Sequence, residues 1–99
     1  MKLIIAQSVL HDLQDIKIYY EEQGVPKIGL ELIEAILAHT QSLLQHPDSG
    51  RMVPEFEQEH IREIIHPPFR VVYLRHAKTI NLVRVWRSER LLLLPKDET

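Results

Sequence analysis

The chain has 99 residues, 44% of them hydrophobic and 26% charged, which predicts one domain over residues 1–99 with one modest core and no room for a second. It has no cysteine, so disulfide frameworks, cysteine nucleophiles and most structural zinc sites are excluded, and a reducing cytoplasm fits. The net charge of −2 is close to neutral as a total, yet it conceals a strong asymmetry along the chain.

The opening stretch, MKLIIAQSVLHDL, has a single Lys and an apolar run interrupted at Gln7. That run is too short for a signal-peptide core, and no other run approaches membrane-spanning length, so the expectation is a soluble intracellular protein with no membrane partner. Leu3, Ile4, Ile5 and Ala6 are too brief for a helix and suit a buried strand. Ser8 has the chemistry of a helix N-cap. From Val9 the spacing becomes helical, with Val9, Leu13, Ile16 and Tyr20 on one face and Asp12 placed to complement the helix dipole. Gly24 suits a left-handed C-terminal position and Pro26 a first helical turn, which predicts a helical hairpin. The second helix, expected over residues 26–45, carries two apolar rows. One is Ile28, Leu32, Ile36, His39 and Leu43; the other is Leu30, Ile33, Leu37, Thr40 and Leu44. The wide apolar surface allows one row to face the first helix and the other a sheet, with His39 read as a hydrogen-bonded, partly buried histidine.

Residues 46–51 form a loop by composition, with Pro47 and Gly50 as punctuation. Residues 52–60 carry Glu55, Glu57 and Glu59 and read as an acidic connection. After it the apolar period switches from helical to alternating, and residues 61–90 read as a three-stranded antiparallel meander. The first strand, residues 61–66, must stop at Pro67 and Pro68, which lack N–H groups. The second covers residues 69–75, His76 to Thr79 supply a short polar connection, and the third covers residues 80–87. Arg70, Val72 and Leu74 share one face of the second strand; on the third, Leu82, Arg84 and Trp86 oppose Val83, Val85 and Arg87. Neither face is cleanly apolar, so alternation does not say which meets the core. Leu91, Leu92, Leu93 and Leu94, stopped by Pro95, are either a final edge strand or an apolar patch awaiting a partner. The fold class is therefore α+β: an N-terminal strand, an α-helical hairpin packed on one face, and the meander in a single sheet.

Between residues 61 and 90 there are seven basic residues (Arg62, Arg70, Arg75, Lys78, Arg84, Arg87, Arg90) against two acids (Glu63, Glu89), a net of +5. Residues 1–50 hold three basic residues against seven acids, a net of −4. Such a local positive field fits an acidic partner, while the plainer alternative is a solvated sheet face. Chemistry-bearing motifs are scarce. There is no glycine-rich phosphate loop, nucleophile elbow or dinucleotide fingerprint, so no cofactor is expected. The six histidines include no two at i+2, i+3 or i+4 spacing, and no metal site is expected from them. His66 and His76 flank opposite ends of the second strand, about 30 Å apart at roughly 3.3 Å per residue, too far to act as a catalytic pair.

The order of elements, together with the segments HPDSGRMVPEF (residues 46–56), IREIIHPPFRVVYLR (61–75) and INLVRVWRSERLL (80–92), resembles the RelE/ParE superfamily of toxins from type II toxin–antitoxin pairs. The resemblance spans nearly the whole chain and implies a cognate antitoxin partner and a toxin–antitoxin hetero-oligomer. It also implies one of two targets. RelE-like toxins cleave mRNA in the ribosomal A site with basic residues and often a C-terminal Tyr or His; ParE-like toxins inhibit DNA gyrase. The stretch Arg84, Val85, Trp86, Arg87 and the long hairpin look ParE-like, and no residue after Arg90 is an acid or base of the RelE kind. This favours a non-enzymatic gyrase inhibitor, with a ribosome-dependent endoribonuclease and a non-toxic interaction module as alternatives. Where many relatives have His-Gly-Arg-Arg, this chain has Arg87, Ser88, Glu89 and Arg90. The residues expected to meet target or antitoxin are Arg70, Arg84, Arg87 and Arg90, with Leu91 to Leu94 as antitoxin-binding apolar area and Tyr73 and Trp86 packing. The arginine count leaves open that one of the four is instead a core residue paired with Glu63.

Overall fold

The computed structural model describes residues 1–88. Strand β1 (Lys2–Ile5) leads into helix α1 (Gln7–Glu22) and helix α2 (Pro26–Gln41), which a 3-10 turn at Ser42–Leu44 extends. Short strand β2 (Arg51–Met52) and the meander β3 (Ile61–His66), β4 (Phe69–Arg75) and β5 (Thr79–Arg87) complete one five-stranded sheet in the order β1-β5-β4-β3-β2. The expected α+β architecture holds. The added strand, β2, pairs antiparallel with β3 at the start of what reads in sequence as a plain acidic connection. Two residues carry too little pattern to announce a strand.

The first helix starts differently from its sequence signal. Its N-cap is Ala6, and the Ser8 hydroxyl donates to the Val83 carbonyl oxygen instead of capping the helix. Its end follows the sequence. Gly24 takes a φ of 79°, Val25 N–H donates to Tyr20 and Gly24 N–H to Glu21, which satisfies the last carbonyls in a Schellman motif.

A bulge decides which side of the sheet meets the helices. Val72 faces Arg84 but Tyr73 faces Leu82, so Val83 is an extra residue on β5. Because of it, Ile80, Leu82 and Val85 all lie in the buried core despite their uneven spacing, beside Phe69, Val71 and Tyr73 of β4 and Val9, Ile16, Ile36 and Leu43 of the helices. Strict alternation places Leu82 and Val85 on opposite faces; the bulge reconciles them. On the other face Glu63 and Arg70 are buried as well, as are Val53 and Val72.

Candidate functional site

The halves of opposite charge meet inside the molecule. Asp12 in α1 accepts two hydrogen bonds from Arg84, at 2.9 Å from Nε and 3.0 Å from Nη2, and a third from the Val85 backbone N–H at 2.8 Å. Strand β1 pairs only with residues 79–82 of β5, so beyond Leu82 that edge of β5 has no neighbouring strand. The carboxylate of Asp12 supplies the acceptor a strand would have given. Asp48, just ahead of β2, lies 3.0 Å from Arg75 and 3.9 Å from Arg62. The asymmetry, read from sequence as either a field for an acidic partner or a solvated sheet face, is thus partly neutralised within the fold.

Arg70 is corrected most sharply. It is only 5% exposed, donating through Nε to Glu63 at 2.6 Å and through both terminal nitrogens to Glu55 at 2.9 Å each. Glu63 in turn accepts from Arg51 at 2.7 Å. Arg70 therefore belongs to a buried ion network and not to an open binding surface, which realises the core-arginine alternative. The reason is register: Glu63 faces Val72 and Ile65 faces Arg70, so Glu63 and Arg70 lie diagonally on the same face of adjoining strands. The hydrogen bonds from Arg70 hold the Glu55 carboxyl below its usual range, and they push the Arg70 guanidinium the opposite way.

Arg84 and Arg87 remain near the surface. The Arg84 guanidinium lies 4.7 Å from the Trp86 ring centre, so Trp86 stacks on an arginine more than it fills core. Arg87 sits beside the rings of Tyr19 and Phe69, at 5.4 and 5.6 Å. These side chains border a cleft of about 240 Å³ between α1 and the C-terminal half of β5, lined also by Asp15 and Ile16. Its walls offer aromatic area, a carboxylate and a guanidinium, suited to a peptide with mixed apolar and charged side chains. Leu10, Ile18, Tyr19, Val25, Ile28 and Leu30 add large exposed apolar groups on the hairpin. Arg90 and Leu91 to Leu94 lie outside the described residues.

Tyr73 packs as expected. It is fully buried, its hydroxyl donating to the Pro47 carbonyl and accepting from Gly50 N–H, and burial pushes the phenol up. The histidines are brought together in ways that spacing does not reveal. His39 Nδ1 lies 3.2 Å from His66 Nδ1, and the rings of His60 and His76 are 6.4 Å apart near the far end of β4. His66 and His76 flank opposite ends of the seven-residue strand β4, as the sequence implies. Among the described residues, no group of three or more His, Asp or Glu is placed to hold a metal ion, and no helix is long and apolar enough to cross a membrane.

A solved structure described as the chromosomal ParDE TA system from P. aeruginosa shares this fold, with a TM-score of 0.74 and 24% identity over 88% of this chain and 95% of that one. Comparison with curated proteins finds no match. The family model for the ParE toxin of the type II toxin–antitoxin system parDE matches residues 3–92. A match of that extent, over the elements that build both the sheet and the hairpin, places the chain in the ParE toxin family of type II toxin–antitoxin systems.

Proposed function

We propose that this protein poisons DNA gyrase and is neutralised by a cognate antitoxin in a hetero-oligomeric complex. The observation that carries the reading, within the family match, is the use of the sheet's arginines. Arg51, Arg62, Arg70, Arg75 and Arg84 are each bound to a carboxylate of the same chain. Cleavage of mRNA through the 2′-hydroxyl needs a base, an acid and available cations around one phosphate. Here those five cations are engaged with Asp and Glu, and His66 and His76 stand at opposite ends of β4, each beside another histidine, His39 and His60, rather than beside one another. An inhibitor that works by occupying a protein surface needs no such constellation. The antitoxin finds apolar area on the hairpin and the mixed cleft bordered by Tyr19, Trp86 and Arg87, a combination suited to a segment that folds as it binds.

Purified toxin is tested in parallel against gyrase supercoiling and against programmed ribosomes. Loss of supercoiling with intact mRNA is expected; site-specific A-site cuts with supercoiling unaffected would reverse the assignment. Expression alone should arrest growth and co-expression with the antitoxin should restore it, whereas harmless expression of folded protein would leave an interaction module. Arg87→Ala should lower the unfolding midpoint only slightly, through loss of its contacts with the Tyr19 and Phe69 rings, and weaken antitoxin binding about tenfold or more, read by calorimetry, in keeping with loss of an arginine anchor.

A further inference from the structure

The two edges of the sheet are built differently. The β2 edge is two residues long, its Arg51 side chain is tied to Glu63, and Pro54 follows soon after, a short charged edge of the kind that resists pairing. The β1 edge carries one charge, Lys2, and leaves Ile4 and Ile5 40% and 38% exposed. Lys2 and Ala6 donate their backbone N–H groups to the carbonyls of Lys78 and Leu82. Strand alternation therefore aims Lys2, Ile4 and Ala6 at β5, and it aims the N–H and C=O groups of Leu3 and Ile5 the other way, where no strand lies among the described residues. We propose that this edge pairs with the same edge of a second copy of the chain, antiparallel about a twofold axis at Ile4, so that two five-stranded sheets become one in a homodimer of the free protein.

One register satisfies both outward-facing residues from within the strand. With the axis at Ile4, Leu3 lies opposite Ile5 of the second copy and exchanges two backbone hydrogen bonds with it, and the reciprocal pair exchanges two more. An axis at Leu3 sends Ile5 beyond β1, to Met1; an axis at Ile5 sets Leu3 against Gln7, which begins α1. With the axis at Ile4, the two Ile4 side chains meet in a close, non-hydrogen-bonded pair on the outer face, since Leu3 packs against the core. Lys2 falls opposite Ala6, and the two Lys2 residues stand about 13 Å apart along the strands at roughly 3.3 Å per residue, beyond a screening length of about 8 Å. Two four-residue edges make an interface well under about 1,200 Å², so the dimer is a transient one. The pairing rests on the geometry of the sheet and not on the proposed target of the toxin.

Sedimentation velocity of the full chain should show a monomer–dimer equilibrium with a Kd on the order of 100 µM, the scale of an interface this small. Ile4→Lys and Ile4→Glu each set like charges face to face across the axis and should weaken self-association about tenfold or more. An equimolar mixture of the two variants should restore it, because opposite charges then meet at a position that contacts only itself. Self-association that ignores both substitutions, a mixture that stays monomeric, or no dimer at all would overturn the proposal. Absent self-association combined with weakened antitoxin binding by Ile4→Lys would assign the edge to the antitoxin instead. Should the variants unfold, amide exchange on the unaltered chain decides: raising the concentration should slow exchange at Leu3 and Ile5 while leaving Ile4, already aimed at β5, unchanged. Slowing confined to the helical hairpin or to β2 rejects the β1 pairing.

Discussion

Arg70 in β4 and Arg84 in β5 each grip a carboxylate with two nitrogens, yet the Arg70 side chain is 6% exposed and the Arg84 side chain 40%. The Arg70 network is built from neighbours in sequence, Glu55 and Glu63, and it fastens the acidic connection onto the outer face of the sheet. The Arg84 pair reaches back to Asp12 in α1, and there the carboxylate is the buried partner, at 9% exposure. The contrast shows that the same bidentate bond answers different needs. In one place two acids keep a buried cation satisfied; in the other a surface cation helps hold a buried acid whose further task is to close a strand edge. What a deletion costs depends on which group is left behind in the dry environment.

The largest effect is expected at Glu63, whose side chain is fully buried between Arg51 and Arg70. Glu63→Ala should lower stability by about 3–5 kcal/mol in urea denaturation, the range for removing one partner of a buried pair. A loss under about 1 kcal/mol would mean that water enters the network, and the contrast with Arg84 would collapse. Next is Asp12→Ala, which should cost about 2–3 kcal/mol because it orphans Val85 N–H as well as Arg84. Asp12→Asn keeps an oxygen acceptor for Val85 and should cost less. A double-mutant cycle with Arg84→Ala separates the backbone contribution from the ion pair.

Gly50 probes the loop beside the same network. A Cβ there would lie 2.5 Å from the Tyr73 hydroxyl and 2.7 Å from the Glu63 carbonyl oxygen. Gly50→Ala should therefore destabilise by about 1–2 kcal/mol through overpacking, measured by the same denaturation. The smallest effect is pH-dependent. Because Glu55 titrates below its ordinary value of 4.5 in the folded state, its stabilising contribution is complete above that value. It fades as pH falls through the lower folded-state value. Glu55→Gln should flatten that acid limb of the unfolding midpoint, and an unchanged limb would assign the dependence to other carboxylates.

The parts legible in the sequence are those set by local chemistry. Pro67 and Pro68 end β3 where expected, Gly24 closes α1, and the three meander strands fall within a residue of their alternating runs. The parts that were not legible depend on distant geometry. Val83 looks like any strand valine, yet as a bulge it rotates the end of β5 and sends Leu82 and Val85 to one face. Asp12 reads in sequence as an acid placed for the helix dipole, but α1 begins at Gln7 and has no acid in its first turn, and nothing near Asp12 in sequence announces Arg84. Arg70 is indistinguishable by type from its neighbours, although Glu63, seven positions earlier on the preceding strand, is the one local hint of its partner. His39 and His66 meet only because the 3-10 turn and loop return the chain to the sheet.

The parallel ladder between β1 and β5 sets a schedule for assembly. Lys2 lies opposite Thr79, so β1 waits for β5, the last described strand, before its ladder hydrogen bonds close. Until then Leu3, Ile80 and Leu82 have no common interior, and the hairpin lacks the sheet surface that buries Val9 and Ile16. Closing a loop of that length carries a large entropic barrier that local helix contacts do not lower. A chain interrupted before β5 keeps only the β2-β3-β4 part of the sheet and lacks the Arg84 anchor of α1. This ordering delays completion of the fold until β5 has been synthesised.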